Sequence, residues 1–371
     1  MYKIFYSLLL IIYLLTAAIS SADVATEKAE FKKLYADFND LYANSDAIEP
    51  IIEVAEKLYS ISPNLYGELS QTHAVITYNL ATLYDEKGGK RSNDFEKKAT
   101  KLYSDYFRIL DKLEQPQDQD YLTQLVALIH AENNANTYES KFTLTKKALS
   151  IAKDLNLPKT VIANYELIFG FLRYKAQNIS QSEDLFESAQ EKFIEEYGDT
   201  HYKVGESQYW LGRIAMARNN KSKAEEKLLN ALAIFDDKGE EGNTLSQSTH
   251  AYLVNLYEEM GQSDEATKHC QAVAVERPKG FDQFVDPLFR IYPNYPQSAM
   301  RGGVKGYSVV EFVVDTDGIT RDVKVIDGSS KMFEKSSIEA AKKYRYAPSV
   351  KDGKLISTEG VRIRFIYELD K

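Results

Sequence analysis

A single cysteine, nine prolines and five histidines in 371 residues remove several classes of protein at once. Cys270 has no second thiol to pair with, so no intramolecular disulfide and no Cys-x-x-Cys metal set can form. Nine prolines cannot build a long, stiff polyproline spacer. Eighteen glycines without a period exclude a collagen-like chain. The histidines His73, His130, His201, His250 and His269 are scattered through the helical part of the chain. Their spacings predict no shared metal site, and the adjacent His269 and Cys270 cannot easily aim both side chains at one ion. Gly88-Gly89-Lys90-Arg91-Ser92 lacks the spacing of a phosphate-binding loop, and neither Gly-x-Ser-x-Gly nor His-Glu-x-x-His occurs. Acidic pairs such as Glu225-Glu226 and Glu258-Glu259 read as solvated helix faces. The expectation is a chain that is not an enzyme, with no catalytic, cofactor-binding or metal-binding residues.

What is present is enough apolar material, 44% of residues, to bury a sizeable core, in a length that suits about two domains. Charge is divided unevenly. Residues 23–279 carry 30 Lys and Arg against 42 Asp and Glu, a net of −12, whereas residues 280–371 carry 15 against 13, a net of +2. An acidic body argues against a nucleic-acid partner, which demands clustered cations. At the N-terminus Lys3 precedes an apolar run over residues 4–18, broken only by Ser7 and Thr16, and Ser20-Ser21-Ala22 supplies small residues before Asp23. The run is short against the about 20 residues of a membrane span. It predicts a signal peptide over 1–22, cut between Ala22 and Asp23, and export from the cytoplasm. The alternative is an uncleaved inner-membrane anchor with the rest facing the periplasm.

Residues 27–277 follow a helical period and repeat themselves. Gly170, Gly212 and Val254 recur every 42 residues. Twelve residues after each stand Ser182, Ala224 and Ala266, and seven further on stand Ala189, Ala231 and Val273. Small residues at fixed offsets let two antiparallel helices approach closely. Ala81 with Tyr84, and Ala148, continue the pattern more weakly upstream. Five prolines (Pro50, Pro63, Pro116, Pro158, Pro278) are expected between helices or at their ends. The offsets resemble the tetratricopeptide repeat, with a period longer than its usual about 34 residues. The segment Tyr197-Gly198-Asp199-Thr200-His201 before a new helix resembles the kinesin light chain variant. About twelve helices in six hairpins are expected: an all-α, TPR-like solenoid whose groove would hold an unknown peptide.

Beyond Arg277-Pro278-Lys279-Gly280 the period changes from 3.6 to 2. Val310, Phe312 and Val314 share one strand face, Val323 to Ile326 forms a second strand, and Val361, Ile363, Phe365 and Tyr367 share a face with Arg362 and Arg364 opposite. Phe333, Ser337, Ala340, Ala341 and Tyr344 make one stripe of a helix suited to cover a sheet. Residues 281–371 thus read as a small α+β domain, an antiparallel sheet with a covering helix. Tyr295-Pro296, the Asp317-Gly318 turn, the cluster Tyr344-Arg345-Tyr346-Ala347-Pro348 and the last strand resemble the C-terminal domain of TonB energy transducers.

That resemblance implies a binding function. The family's domain takes up a short receptor segment, the TonB box, as an added strand, with main-chain hydrogen bonds supplying affinity. It implies outer-membrane TonB-dependent receptors as partners and an ExbB–ExbD-type motor as a further one. The receptor-binding stretch maps onto Tyr292, Pro293, Asn294, Tyr295 and Pro296. The free edge maps onto Val361, Arg362, Ile363, Arg364, Phe365, Ile366 and Tyr367. Two family features are missing, a histidine in the N-terminal apolar run and a proline-rich spacer, in whose place the helical array stands. A periplasmic TPR adaptor without energy transduction is therefore the competing expectation.

Overall fold

A computed structural model describes residues 22–45, 47–88, 93–131, 138–236, 240–276 and 287–369. The expected leader up to residue 21, the Gly89–Ser92 part of the glycine-rich stretch and the connection at 277–280 lie outside these. Ala22 and Asp23 are the first residues of the first helix. Among the described residues twelve helices come first: α1 Ala22–Asn44, α2 Ile48–Tyr66, α3 Gln71–Gly88, α4 Asn93–Lys112, α5 Gln119–Ala131, α6 Tyr138–Asp154, α7 Lys159–Lys175, α8 Ile179–Tyr197, α9 Tyr202–Ala217, α10 Lys221–Asp236, α11 Glu240–Met260 and α12 Ser263–Val275. The chain divides into two compact units, one up to Ile151 and one from Ala152.

In the first unit neighbouring helices bury a core of small and aromatic residues. Ala55, Leu58, Ala74, Ala81, Ala99 and Tyr103 are almost wholly inaccessible. Tyr78 packs against both Tyr103 and Tyr106, with ring centroids 5.6 and 5.0 Å apart. Pro63 lies at the end of α2, within its last turn. Proline has no N–H for the carbonyl four residues back. The Ser62 hydroxyl donates to that carbonyl, Tyr59 O, at 3.2 Å.

In the second unit α7 pairs with α8, α9 with α10 and α11 with α12. The close approaches occur at the repeat's small residues. A Cβ on Gly170 would stand 2.9 Å from the Phe186 ring, and one on Gly212 would stand 2.7 Å from Leu228 Cγ. Ser182 Oγ donates to Gly170 O at 2.8 Å, and Ala224, Ala231 and Ala266 are fully buried. The 42-residue period also governs the turns. Gln177, Asn219 and Gly261, spaced by that interval, each take a positive φ (60°, 55° and 74°) at the end of a first hairpin helix. In each turn the next N–H reaches back five residues: Asn178 to Arg173 O, Asn220 to Ala215 O and Gln262 to Tyr257 O. This left-handed stop satisfies the last helical carbonyls. Glu114 in the first unit takes the same left-handed turn, as does Asn156 after α6 in the second.

The C-terminal segment builds a short helix α13 (Gln297–Arg301), β1 (Gly306–Val314), β2 (Thr320–Gly328), a 3-10 turn (Lys331–Phe333) running into α14 (Glu334–Ala341), a small hairpin of β3 (Ser349–Lys351) and β4 (Lys354–Ile356), and β5 (Thr358–Tyr367). The sheet is antiparallel in the order β2-β1-β5. Val310, Phe312 and Val314 meet Phe333, Ala340, Ala341, Tyr344, Phe365 and Tyr367 in one core, so the helix stripe read from the sequence is the buried one. The β3–β4 hairpin was not expected, because strands of three residues are too short to show alternation. Fold class is as the sequence implies: helical hairpin repeats, then a small α+β domain.

This domain is seated on the last hairpin. Val273 and Ala274 of α12 pack against Ala347, Leu288, Val350 and Leu355. Asn255 Nδ2 donates to Leu288 O at 2.7 Å, and Gln271 Nε2 to Asp317 Oδ1 at 3.1 Å. The acidic pairs are also not simply solvated. Glu258 lies beside the buried Arg345, and Glu225 accepts from Tyr257 OH at 2.9 Å. Tertiary partners far along the chain, absent from any local window, account for the difference.

Candidate functional site

Strand β5 is an edge. It pairs with β1 on one side, from Gly306↔Tyr367 to Phe312↔Val361, and among the described residues no strand pairs with its other side. The ladder is irregular between Phe312 and Val314, opposite Gly360, whose φ is +70°. A bulge there twists the start of the strand and leaves seven regular residues, Val361 to Tyr367, along the edge.

Beside this edge runs a groove of about 640 Å³. Its walls are Val361, Arg362, Ile363, Arg364, Phe365 and Ile366 from β5, Tyr292, Pro293 and Arg290 from the segment entering the domain, and Tyr344 and Tyr346 from the cluster after α14. Tyr292 is 81% exposed and Ile366 65%, unusual for large apolar side chains. Basic charge dominates the rim, with Arg290, Arg362 and Arg364 against Glu359. Arg362 is already engaged: its Nε and Nη2 each lie 2.8 Å from Glu311 Oε2. Lys324 and Arg362 together hold the Glu311 carboxyl below its usual range. Arg364 lies over the Tyr307 ring at 3.9 Å.

The residues singled out in the sequence separate into two groups. Tyr292, Pro293 and Val361 to Ile366 come together at the groove. Tyr295 and Tyr367 instead turn into the core, edge-on to each other with centroids 5.6 Å apart, and Tyr295 OH donates to Val304 O at 2.6 Å. Asn294 O accepts from Ser336 Oγ, and Pro296 caps α13. Arg290, Tyr344 and Tyr346 were not picked out as groove residues. Arg290 gives no local pattern, and the two tyrosines read only as part of a motif.

Two histidines that the sequence leaves apart meet in the fold. Across α11 and α12, His250 Nδ1 and His269 Nδ1 lie 2.7 Å apart, and His250 Nε2 lies 3.2 Å from Glu276 Oε1. The separation of 19 residues fits no common ligand spacing, so only the hairpin's packing brings them together. Cys270 is buried, and burial pushes its thiol up to about 12. Among the described residues no helix is long and apolar enough to cross a membrane.

These features define a helical-repeat protein that ends in a small α+β domain with an open strand edge. Residues 291–369 match the family model of the Gram-negative bacterial TonB protein C-terminal. The chain is 30% identical over 91 residues to protein TonB of Pseudomonas aeruginosa, which is 24% of this chain and 26% of that protein. It thus spans about a quarter of that curated relative's length. Among solved structures, the TonB2 protein of Vibrio anguillarum is 34% identical over 26% of this chain and 91% of its own, with a TM-score of 0.20. Aspartyl phosphate phosphatase F of Bacillus subtilis covers 70% of this chain and 76% of its own at 11% identity and a TM-score of 0.50, a likeness of fold alone. TPR-like repeats of a Podosopora anserina kinesin light chain cover 57% of this chain and 98% of their own, at 14% identity and a TM-score of 0.45. The C-terminal domain thus matches the TonB C-terminal family model, and in this chain it follows an array of helical hairpins.

Proposed function

We propose that this protein works in the periplasm, where its C-terminal domain captures an extended segment, the TonB box, of an outer-membrane TonB-dependent receptor. The segment adds to the outer edge of β5, and the helical array serves as scaffold and spacer in energy-coupled transport. The observation that carries this reading is the unpaired edge of β5 beside a groove walled by Tyr292, Pro293 and the strand's own side chains. An edge strand offers a row of main-chain donors and acceptors that a second strand can satisfy. The bulge at Gly360 and the outward arginines keep the empty edge soluble. An ExbB–ExbD-type motor is the partner that the transducing half of this role requires.

The test is calorimetric titration of the full chain with a synthetic TonB-box peptide and with the same peptide N-methylated at alternate residues. Strand addition predicts binding of the first and loss of binding for the second. Equal binding of both peptides, or of neither, overturns the reading.

A further inference from the structure

Three helices of the last repeats bring their polar side chains to one point. Asp236 is the final residue of α10, His250 lies within α11, and Glu276 immediately follows α12. One carboxylate oxygen of each acid and one imidazole nitrogen all lie within 4.8 Å of one another. His250 is nearly inaccessible, with 8% of its side chain exposed. Its Nε2 stands 3.2 Å from Glu276 Oε1. That separation matches the edge of a coordination tetrahedron with metal–ligand bonds of about 2.0 Å.

A histidine–carboxylate ion pair alone leaves two things unexplained. Glu276 Oε2 is buried without a hydrogen-bond partner, an arrangement that costs stability unless something fills it. No lysine or arginine among the described residues pairs with Asp236 or Glu276, although the two carboxylates share the hydroxyl of Ser246, at 3.3 and 3.1 Å. That hydroxyl has one proton and can satisfy one of them at a time. The surroundings are built as a metal's outer shell is built. His250 Nδ1 faces His269 Nδ1 at 2.7 Å, so with the proton on Nδ1 the Nε2 lone pair is free to face the acids. The His269 ring is itself held by stacking on Tyr257, 5.5 Å between centroids and 5° apart in plane. Gln247 Nε2 donates to Glu276 O at 2.7 Å and anchors that end of α12.

We infer that Asp236, His250 and Glu276 form a site for one divalent transition metal, of zinc type, that staples the ends of α10 and α12 to α11. One nitrogen and two oxygens suit zinc and its first-row neighbours, with water completing the shell. The role is structural: metal binding to the folded repeats stabilises the pair of hairpins that carries the C-terminal domain.

The experiment is calorimetric titration of the full, EDTA-treated chain with zinc chloride, together with cobalt(II) absorption spectra and melting curves with and without zinc. Expected are one equivalent of zinc at micromolar or tighter affinity, a visible cobalt band without thiolate charge transfer, and a raised Tm. Asp236→Asn and Glu276→Gln should each weaken binding at least tenfold. Asp236 is exposed, so its variant keeps the test valid if substitution at the buried His250 prevents folding. Absence of binding, or binding of unchanged affinity in both variants, overturns the site.

Discussion

Arg345 Nε lies 2.7 Å from Glu258 Oε1, and 5% and 15% of the two side chains remain exposed. The N–H direction misses the oxygen's axis, so the contact is a close ion pair more than an aligned hydrogen bond. The same guanidinium donates through Nη2 to Ser263 O at 2.7 Å and Thr267 Oγ1 at 2.8 Å. Its own backbone binds Phe289 in both directions. One side chain of the C-terminal domain thus fastens three points of the α11–α12 hairpin.

Arg345→Ala leaves Glu258 buried without its partner, and breaking a buried pair this way costs about 3–5 kcal/mol. Chemical denaturation should show that loss and a second transition, as the C-terminal domain no longer melts with the last hairpin. A single transition at wild-type stability would refute the coupling.

Gly212→Ala sets two effects against each other. An alanine in a helix interior gains about 1 kcal/mol over glycine. Here the new Cβ meets Leu228 Cγ at 2.7 Å and the Leu228 backbone N at 3.3 Å, and overpacking costs about 1–3 kcal/mol. The prediction is a net loss of stability, read as a lower Tm; an increase would show that the helices can separate.

Most of the architecture is legible in the sequence because it rests on periodic packing. Gly170, Gly212 and their small partners fix the hairpins through sterics that any window can show. The stripe from Phe333 to Tyr344 and the alternation in the last strand fix the sheet's two faces in the same way. What escapes is whatever depends on one long-range partner. Arg345 reads as part of a family motif and is a buried anchor. Glu258 reads as surface, and His250 and His269 read as unrelated. For the groove, Tyr292 is legible through resemblance, while Arg290 is not.

Cys270 supplies a pH prediction. Burial lifts its thiol from the ordinary 9.0 to about 12, so the folded state keeps a proton that the unfolded state loses. The stabilisation is complete below pH 9 and is lost as pH rises from 9 to 12, at up to about 1.4 kcal/mol per pH unit. Tyrosines titrate in the same range, so the readout is the difference between wild type and Cys270→Ala. The wild type should lose stability more steeply, and its thiol should stay unreactive to alkylation at pH 8 until the chain unfolds. Equal slopes, with rapid labelling at pH 8, would exclude a buried neutral thiol.

The groove's charge predicts the kind of strand it prefers. Arg362 is neutralised by Glu311, whereas Arg290 and Arg364 lie over the Tyr292 and Tyr307 rings and pair with no carboxylate among the described residues, opposed beside β5 by Glu359. Both lie at the surface, where each pairing contributes about 0.2–1 kcal/mol. Reversing both, Arg290→Glu with Arg364→Glu, should weaken an acidic strand peptide by roughly three- to tenfold, mainly through slower association. Tyr292→Ala removes apolar wall without touching charge, so it should speed dissociation and leave the salt dependence of association unchanged. Surface plasmon resonance at two ionic strengths separates the cases. If charge reversal leaves the association rate and its salt dependence as in the wild type, the arginine rim has no part in selecting the peptide, and recognition rests on the strand's backbone and the Tyr292 wall.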